Sequence, residues 1–140
     1  MRAHIALLLL LGVTSAASAQ RSAQDVTPIR FARGASSAAV AGSVIRGERA
    51  LYSLDARAGQ TLTARISAAE TNAVFQLYAP GARAALRDGM LDVTGHALPG
   101  AGDGADARAW EGRLPADGAY LFIIGGTRGN AQYSLSVTVR

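Results

Sequence analysis

The chain has no cysteine and no lysine, and only 6% of its residues are aromatic. Without cysteine, neither a disulfide framework nor a thiolate metal site can form. All basic residues are arginines, and they alternate with small polar residues instead of clustering, so the sequence shows no nucleic-acid-binding patch. Histidine is scarce as well, since only His4 and His96 occur. A domain built from this chain must therefore be held together by packing alone.

The N-terminus has the three-part layout of a secretory signal peptide. Arg2 supplies a positive charge, an apolar run follows from Ile5 to Val13, and the A-x-A pattern at 17–19 predicts cleavage before Gln20. The apolar run is too short to span a bilayer as a permanent helix. With no later long apolar segment and no cysteine for a lipid anchor, we expect no membrane anchor. The sequence thus predicts a periplasmic or secreted protein from which residues 1–19 are removed.

What remains is long enough for one domain with a single core. We predict a flexible lead-in at 20–28 and one domain over 29–140, in which period-two alternation indicates strands with one face on a core. The predicted strands are Ile29–Arg33, Val40–Arg46, Leu51–Ala56, Thr61–Ser67, Ala73–Tyr78, Ala107–Leu114, Ala119–Ile124 and Tyr133–Arg140. Gly- and Pro-rich turns separate them. This spacing predicts an all-β fold, an antiparallel sandwich or barrel of about eight strands.

Residues 80–106 are the exception to this pattern. The segment is rich in alanine and glycine, includes Pro80 and Pro99, and has no sustained periodicity. We predict a long loop here, in which Ala82–Leu91 could form a helical turn or two. So long a connection is unusual in a compact domain and indicates a functional loop or an insertion.

The sequence offers little for catalysis. His96 is the one histidine after the predicted cleavage point, and no G-x-S-x-G motif accompanies it. The spacing of the carboxylates does not indicate a glycosidase pair. The glycine-rich stretch 100–106 lacks both the strand-loop-helix context of a phosphate loop and the oxygen ligands of a calcium loop. We therefore expect a protein that is not an enzyme and needs no metal or cofactor; an enzyme acting through His96 is the least favoured alternative.

Two predicted hairpins carry polar residues suited to contact a partner. One has the Pro-x-Asp-Gly turn at 115–118, with Tyr120 at the start of the next strand. The other is the glycine-flanked loop 125–130, which has Arg128 at its tip. Arg128 could form a forked, bidentate contact with a carboxylate of a partner. A solvated arginine is the more common role at a single hairpin turn.

A series of motifs runs through nearly the whole mature chain. It consists of Phe31-Ala32-Arg33-Gly34-Ala35-Ser36-Ser37-Ala38, Gly42, Tyr52, Ala58-Gly59-Gln60, Pro80-Gly81, Leu114-Pro115-Ala116-Asp117-Gly118-Ala119-Tyr120, Thr127-Arg128 and a closing strand from Tyr133. In this order the motifs resemble the family of periplasmic inhibitors of g-type lysozyme. The opening F-x-x-G-x-S-S-A segment is the most specific part. The G-Q and L-P-x-x-G-x-Y motifs also occur in bacterial pre-peptidase C-terminal domains, which are β-sandwiches too.

The resemblance implies a small periplasmic β-sandwich that blocks a g-type lysozyme by inserting hairpin loops into its active-site cleft. Such clefts hold catalytic carboxylates, with which a hairpin arginine could pair. On this basis Arg128 is the expected principal contact, while Tyr120 is either a second contact or a core residue. The expected partner-binding residues are Gly47, Glu48, Arg49, Asp117, Gly118, Tyr120, Thr127, Arg128 and Gly129.

Three features depart from the family pattern. Gly47, beside Glu48 and Arg49, stands where the family has an aromatic residue. The loop that carries Arg128 is shorter than in the family, and the connection at 80–106 is longer. Such a chain could keep the scaffold and lose or retarget the inhibition.

The alternative function is a pre-peptidase-like accessory module that binds carbohydrate or peptidoglycan and inhibits nothing. A module of this kind needs exposed aromatic rings as a platform for sugars. The candidates in this chain are Trp110, Tyr52 and Tyr78. Trp110 lies inside a predicted strand, which favours burial over display.

Overall fold

The computed structural model describes residues 25–140, so the predicted signal peptide lies outside the described residues. This part of the chain forms ten β-strands and no helix. The strands are β1 (Val26–Pro28), β2 (Ser37–Val44), β3 (Ala50–Ala56), β4 (Thr61–Ala68), β5 (Ala73–Tyr78), β6 (Arg83–Arg87), β7 (Met90–Thr94), β8 (Ala109–Arg113), β9 (Gly118–Gly126) and β10 (Ala131–Val139). The predicted all-β class is confirmed. Over residues 25–140 there is accordingly no helix of the length and apolarity that crossing a membrane requires.

Eight of the strands form two four-stranded sheets that share one core. Sheet A has the order β1-β3-β9-β5 and sheet B the order β2-β10-β4-β8. All neighbouring strands are antiparallel except β1 and β3. Alternate residues of both sheets point into the core, where Leu54, Phe75 and Phe122 from sheet A meet Leu62 and Leu135 from sheet B. All five side chains are fully buried. The architecture is the predicted antiparallel β-sandwich.

A third layer covers the outer face of sheet A. Strands β6 and β7 pair only with each other and form a separate hairpin. The hairpin packs Ala82, Ala84, Leu91 and Val93 against the sheet A residues Leu51, Tyr78, Leu121 and Ile123. Both faces of β9 are therefore buried. This explains why its apolar residues follow one another and do not alternate with polar residues.

The predicted long loop at 80–106 is therefore wrong in its middle part, and so is the helical turn at Ala82–Leu91. The turn between β6 and β7 is Asp88-Gly89, and its two residues have φ angles of 50° and 77°. A two-residue turn with positive φ at both positions matches the twist of hairpin strands, and Asp-Gly is a favoured sequence for it. The segment that was expected to be a loop is thus a tight β-hairpin.

The following residues, 97–107, run along the edge of β5. The Leu77 N–H donates to Ala101 O at 2.9 Å, and the Leu98 N–H donates to Leu77 O at 2.8 Å. Trp110 Nε1 then donates to Pro99 O at 2.8 Å, which fastens this segment to β8 of sheet B. The segment occupies an edge that would otherwise be open to pairing with another chain.

Two N-terminal boundaries also differ from the prediction. Ile29–Arg33 is not a strand; the pairing residues are Val26–Pro28, which lie in the predicted flexible lead-in 20–28. Ile29 is buried, and its N–H donates to Ser53 O at 2.8 Å, so the chain is already fastened to β3 at this point. Strand β2 begins at Ser37, earlier than predicted, because its small residues continue the ladder with β10.

Candidate partner-binding site

The strand register places the loops at two opposite ends of the sandwich. Ala50 of β3 and Phe75 of β5 both pair with Ile124 of β9, while Val44 of β2 pairs with Ala131 of β10. The loops 45–49, 69–72 and 127–130 therefore share one end, which we call the arginine end. The loops 57–60 and 114–117 lie at the opposite end.

Asn72 holds the loop that carries Arg128. Its side chain is only 3% exposed. The Asn72 Nδ2 group donates to Arg128 O at 3.1 Å and to Asn130 O at 2.9 Å, while Asn72 O accepts the Thr127 N–H at 2.8 Å. Both amide hydrogens of the buried side chain are thus used within one loop. The position of loop 127–130 depends directly on this residue, which the sequence did not single out.

Further hydrogen bonds connect the three loops of the arginine end. The Arg46 N–H donates to Asn130 Oδ1 at 2.9 Å, which joins loop 45–49 to loop 127–130. Arg128 Nη2 donates to Glu70 O at 3.2 Å, which joins loop 127–130 to loop 69–72. The loops therefore form one connected surface.

Arg128 is exposed at this end, between the exposed residues Thr127 and Gly129. Within residues 25–140, no carboxylate lies within ion-pair distance of its guanidinium. The contact with Glu70 O uses one nitrogen, so the other donors of the guanidinium fork are available to a partner. This arrangement suits a bidentate contact with a carboxylate.

Loop 45–49 lies beside it and contains Gly47, Glu48 and Arg49. Gly47 is exposed with a φ of 84°, a left-handed conformation that favours glycine. Arg49 folds back across the sheet: its Nη1 donates to Glu48 O at 2.9 Å, and its Nε would lie 2.9 Å from a Cβ placed on Gly125. A groove of about 250 Å³ separates Arg49 from loop 102–106.

Asp117, Gly118 and Tyr120 lie at the opposite end and are not brought next to Arg128. Asp117 Oδ1 accepts the Ala58 N–H at 2.7 Å and so joins two loops there. Tyr120 is fully buried; its hydroxyl donates to Ala116 O at 2.7 Å and accepts the Ala116 N–H at 3.2 Å. Of the two roles expected for Tyr120, its burial supports the core role.

Two buried tyrosines, Tyr78 and Tyr133, have raised pKa values, so both hydroxyls stay protonated at neutral pH. Burial, together with the 2.6 Å hydrogen bond to the Tyr52 hydroxyl, raises the pKa of Tyr133. Burial, with a smaller effect from Asp103, raises the pKa of Tyr78. Neither hydroxyl loses its proton near neutral pH, so both act as permanent hydrogen-bonding groups. No group of three or more His, Asp or Glu in residues 25–140 is arranged to hold a metal ion.

The aromatic rings that were candidates for sugar binding are not fully exposed to solvent. Tyr52 and Tyr78 are each only 8% exposed. Trp110 is half-buried against the core, and its Nε1 is used by Pro99 O. These three rings therefore provide no platform for a carbohydrate.

The fold and the site define a small β-sandwich protein whose hydrogen-bonded loops present an exposed arginine at one end. The chain is similar to PliG of Aeromonas hydrophila, a periplasmic lysozyme inhibitor of g-type lysozyme, with 33% sequence identity and a TM-score of 0.63. The alignment covers 82% of this chain and 96% of that one. The chain belongs to the family of periplasmic inhibitors of g-type lysozyme.

Two further solved structures share the fold. PliG of Salmonella Typhimurium has 21% identity and a TM-score of 0.56, and a mutant of the Escherichia coli protein has 19% identity and a TM-score of 0.55. Each alignment covers 82% of this chain and 97% of the other. No protein-family model and no curated protein matches the chain.

Proposed function

We propose that this protein is a periplasmic inhibitor of g-type lysozyme and that it acts by placing its arginine end in the active-site cleft of the enzyme. The observation that carries the proposal is Arg128, exposed without a carboxylate partner in residues 25–140 on a loop fixed by Asn72. Membership of the inhibitor family supports the partner. The protein acts by occupying the cleft and not through catalysis of its own.

A glycosidase cleft presents carboxylates to its substrate. The Arg128 guanidinium can pair with one of them, because its planar fork matches the two carboxylate oxygens. Once the loop is seated, the pair is removed from water, and the polysaccharide cannot reach the same carboxylate. The insertion of loop 127–130 would thus both form the ion pair and exclude the polysaccharide from the cleft.

The hydrogen bonds within the arginine end favour tight binding. A loop that must be ordered on binding loses conformational freedom, and this loss opposes association. Here Asn72 and the Arg46–Asn130 contact hold loop 127–130 in place before the partner arrives. Loop 45–49 flanks it and contributes Glu48 and the backbone around Gly47 as secondary contacts.

The test is lysis of cell walls by a purified g-type lysozyme, with and without residues 20–140 of this protein. We expect lysis to stop at stoichiometric excess of the protein. Arg128→Ala should weaken inhibition by about 2 kcal/mol or more, or roughly 30-fold, because it removes one partner of a buried charge pair. Arg57→Ala is the matched control, since Arg57 is an exposed arginine in a loop of the opposite end. Full lysis at excess inhibitor contradicts the proposal.

A further inference from the structure

The tip of the β6–β7 hairpin reaches the arginine end. A groove of about 380 Å³ is lined on one side by Gly47, Glu48 and Arg49, and on the other by the hairpin residues Leu86, Gly89 and Leu91. The hairpin tip and loop 45–49 are thus neighbours across a single groove. A partner seated on loop 45–49 is therefore within reach of the tip.

The tip is a tight two-residue turn between paired strands. Its Asp88-Gly89 turn has the geometry that matches strand twist, and Arg87 Nε forms an ion pair with Asp92 Oδ2 at 3.1 Å. Below the turn, Leu91 and other apolar residues pack on the outer face of sheet A. The tip therefore projects from a hairpin whose base is packed on sheet A.

Exposed apolar side chains occur in the hairpin tip and in loop 45–49: Leu86 lines this groove, and Met90 lines a neighbouring groove of about 460 Å³ together with Gly47 and Arg49. Met90, directly after the turn, is 74% exposed, and Leu86 is 36% exposed. Ile45, in the adjoining loop, is 59% exposed. These are three of the four large apolar side chains that residues 25–140 expose. Apolar side chains gathered beside polar loops are typical of a protein-binding surface, and methionine adapts well to an irregular partner.

We infer that the β6–β7 tip is a third contact element for the lysozyme, with Met90 packing on apolar surface at the rim of the cleft that receives Arg128. The inference rests on the proposed function. Its occupant is the same lysozyme because the tip continues the surface of loop 45–49 across one groove. The hairpin, an addition to the two-sheet sandwich, thereby enlarges the interface.

The experiment measures affinity for a purified g-type lysozyme by isothermal titration calorimetry with residues 20–140. Met90→Glu should weaken binding by about tenfold or more, and Met90→Ala by a smaller factor, because a buried apolar anchor is lost. Thr94→Glu is the matched control: it places the same charge in the same strand, at the exposed base of the hairpin, and should change affinity less than about twofold. Thermal unfolding of all variants should match that of the unmodified protein.

The outcomes separate this inference from the proposed function. Tight binding by the unmodified protein that Met90→Glu leaves unchanged, while Arg128→Ala weakens it, overturns the third contact alone. Absence of binding by the unmodified protein overturns both. A free protein that is dimeric in light scattering and becomes monomeric with Met90→Glu assigns the tip to a second copy of this chain, which also overturns the inference.

Discussion

Among single residues, Asn72 and Arg128 show how the position of an exposed side chain depends on a buried one. Arg128 supplies the charge, but its backbone carbonyl and that of Asn130 are held by the Asn72 amide. A turn asparagine is an ordinary feature of a sequence, and nothing in the local pattern indicates that this one is buried. The burial arises when loop 127–130, distant in sequence, closes over it. The exposed position of Arg128 could therefore be predicted from its glycine-flanked turn, whereas the burial of Asn72 could not.

Replacing Asn72 with alanine should lower both stability and inhibition. The substitution leaves two carbonyls at the loop without their donor, which costs about 1–3 kcal/mol in the free energy of unfolding. The freed loop must then be ordered on binding, so the inhibition constant should rise even when the protein is fully folded. Urea unfolding and the lysis assay measure the two effects.

Asn130→Ala is the comparison variant for this prediction. It removes the side-chain contact with the Arg46 N–H and keeps the backbone carbonyl that Asn72 binds. We expect a smaller loss of both quantities. If Asn72→Ala unfolds at the same urea concentration as the unmodified protein and inhibits equally well, the Asn72 amide does not position Arg128.

At the scale of elements, the strands with clean alternation could be predicted, and the β6–β7 hairpin could not. Its inward positions include Ala82 and Ala84, whose small side chains give little hydrophobic contrast with their neighbours. Alanine is also depleted in strands. The Asp88-Gly89 dipeptide was the available signal, since it is among the strongest short-range indications of a hairpin. The hairpin is stabilised by packing over Leu121 and Ile123. This contact is long-range in the sequence, so the local pattern does not reveal it.

Gly89→Val should loosen this hairpin locally. A β-branched residue at a φ of 77° is strained, and we expect a cost of about 1–2 kcal/mol. The paired amides of β6 and β7 should then exchange faster with deuterium, while those of β9 and β10 keep their protection. Asp88→Asn is the control, because asparagine also accepts this conformation and Asn-Gly forms the same turn. Equal exchange in Gly89→Val and the unmodified protein would show that the turn does not determine hairpin stability.

For the whole molecule, the proposed contact residue Arg128 and the buried residue Tyr120 lie at opposite ends of the sandwich. A sequence predicts hairpins one at a time, but the end at which each lies follows from the order of strands in both sheets. That order is set by long-range pairing, such as β3 with β9 and β2 with β10. For this reason the sequence analysis could place Asp117, Gly118 and Tyr120 in the same set of expected contact residues as Arg128. The strand register separates them from Arg128 by the length of the sandwich.

This separation predicts that Tyr120→Phe and Arg128→Ala have independent effects. Tyr120→Phe removes a buried hydroxyl that bonds twice with Ala116, so it should lower the free energy of unfolding by about 1–2 kcal/mol and leave inhibition unchanged. Arg128→Ala should weaken inhibition and leave the free energy of unfolding unchanged, because the Arg128 side chain is exposed. Since the sites are far apart and share no partner, the double variant should show the sum of both effects within about 0.5 kcal/mol. Urea unfolding and titration with lysozyme test this. A loss of inhibition in Tyr120→Phe while it remains folded would return Tyr120 to the contact surface and contradict the separation of the two ends.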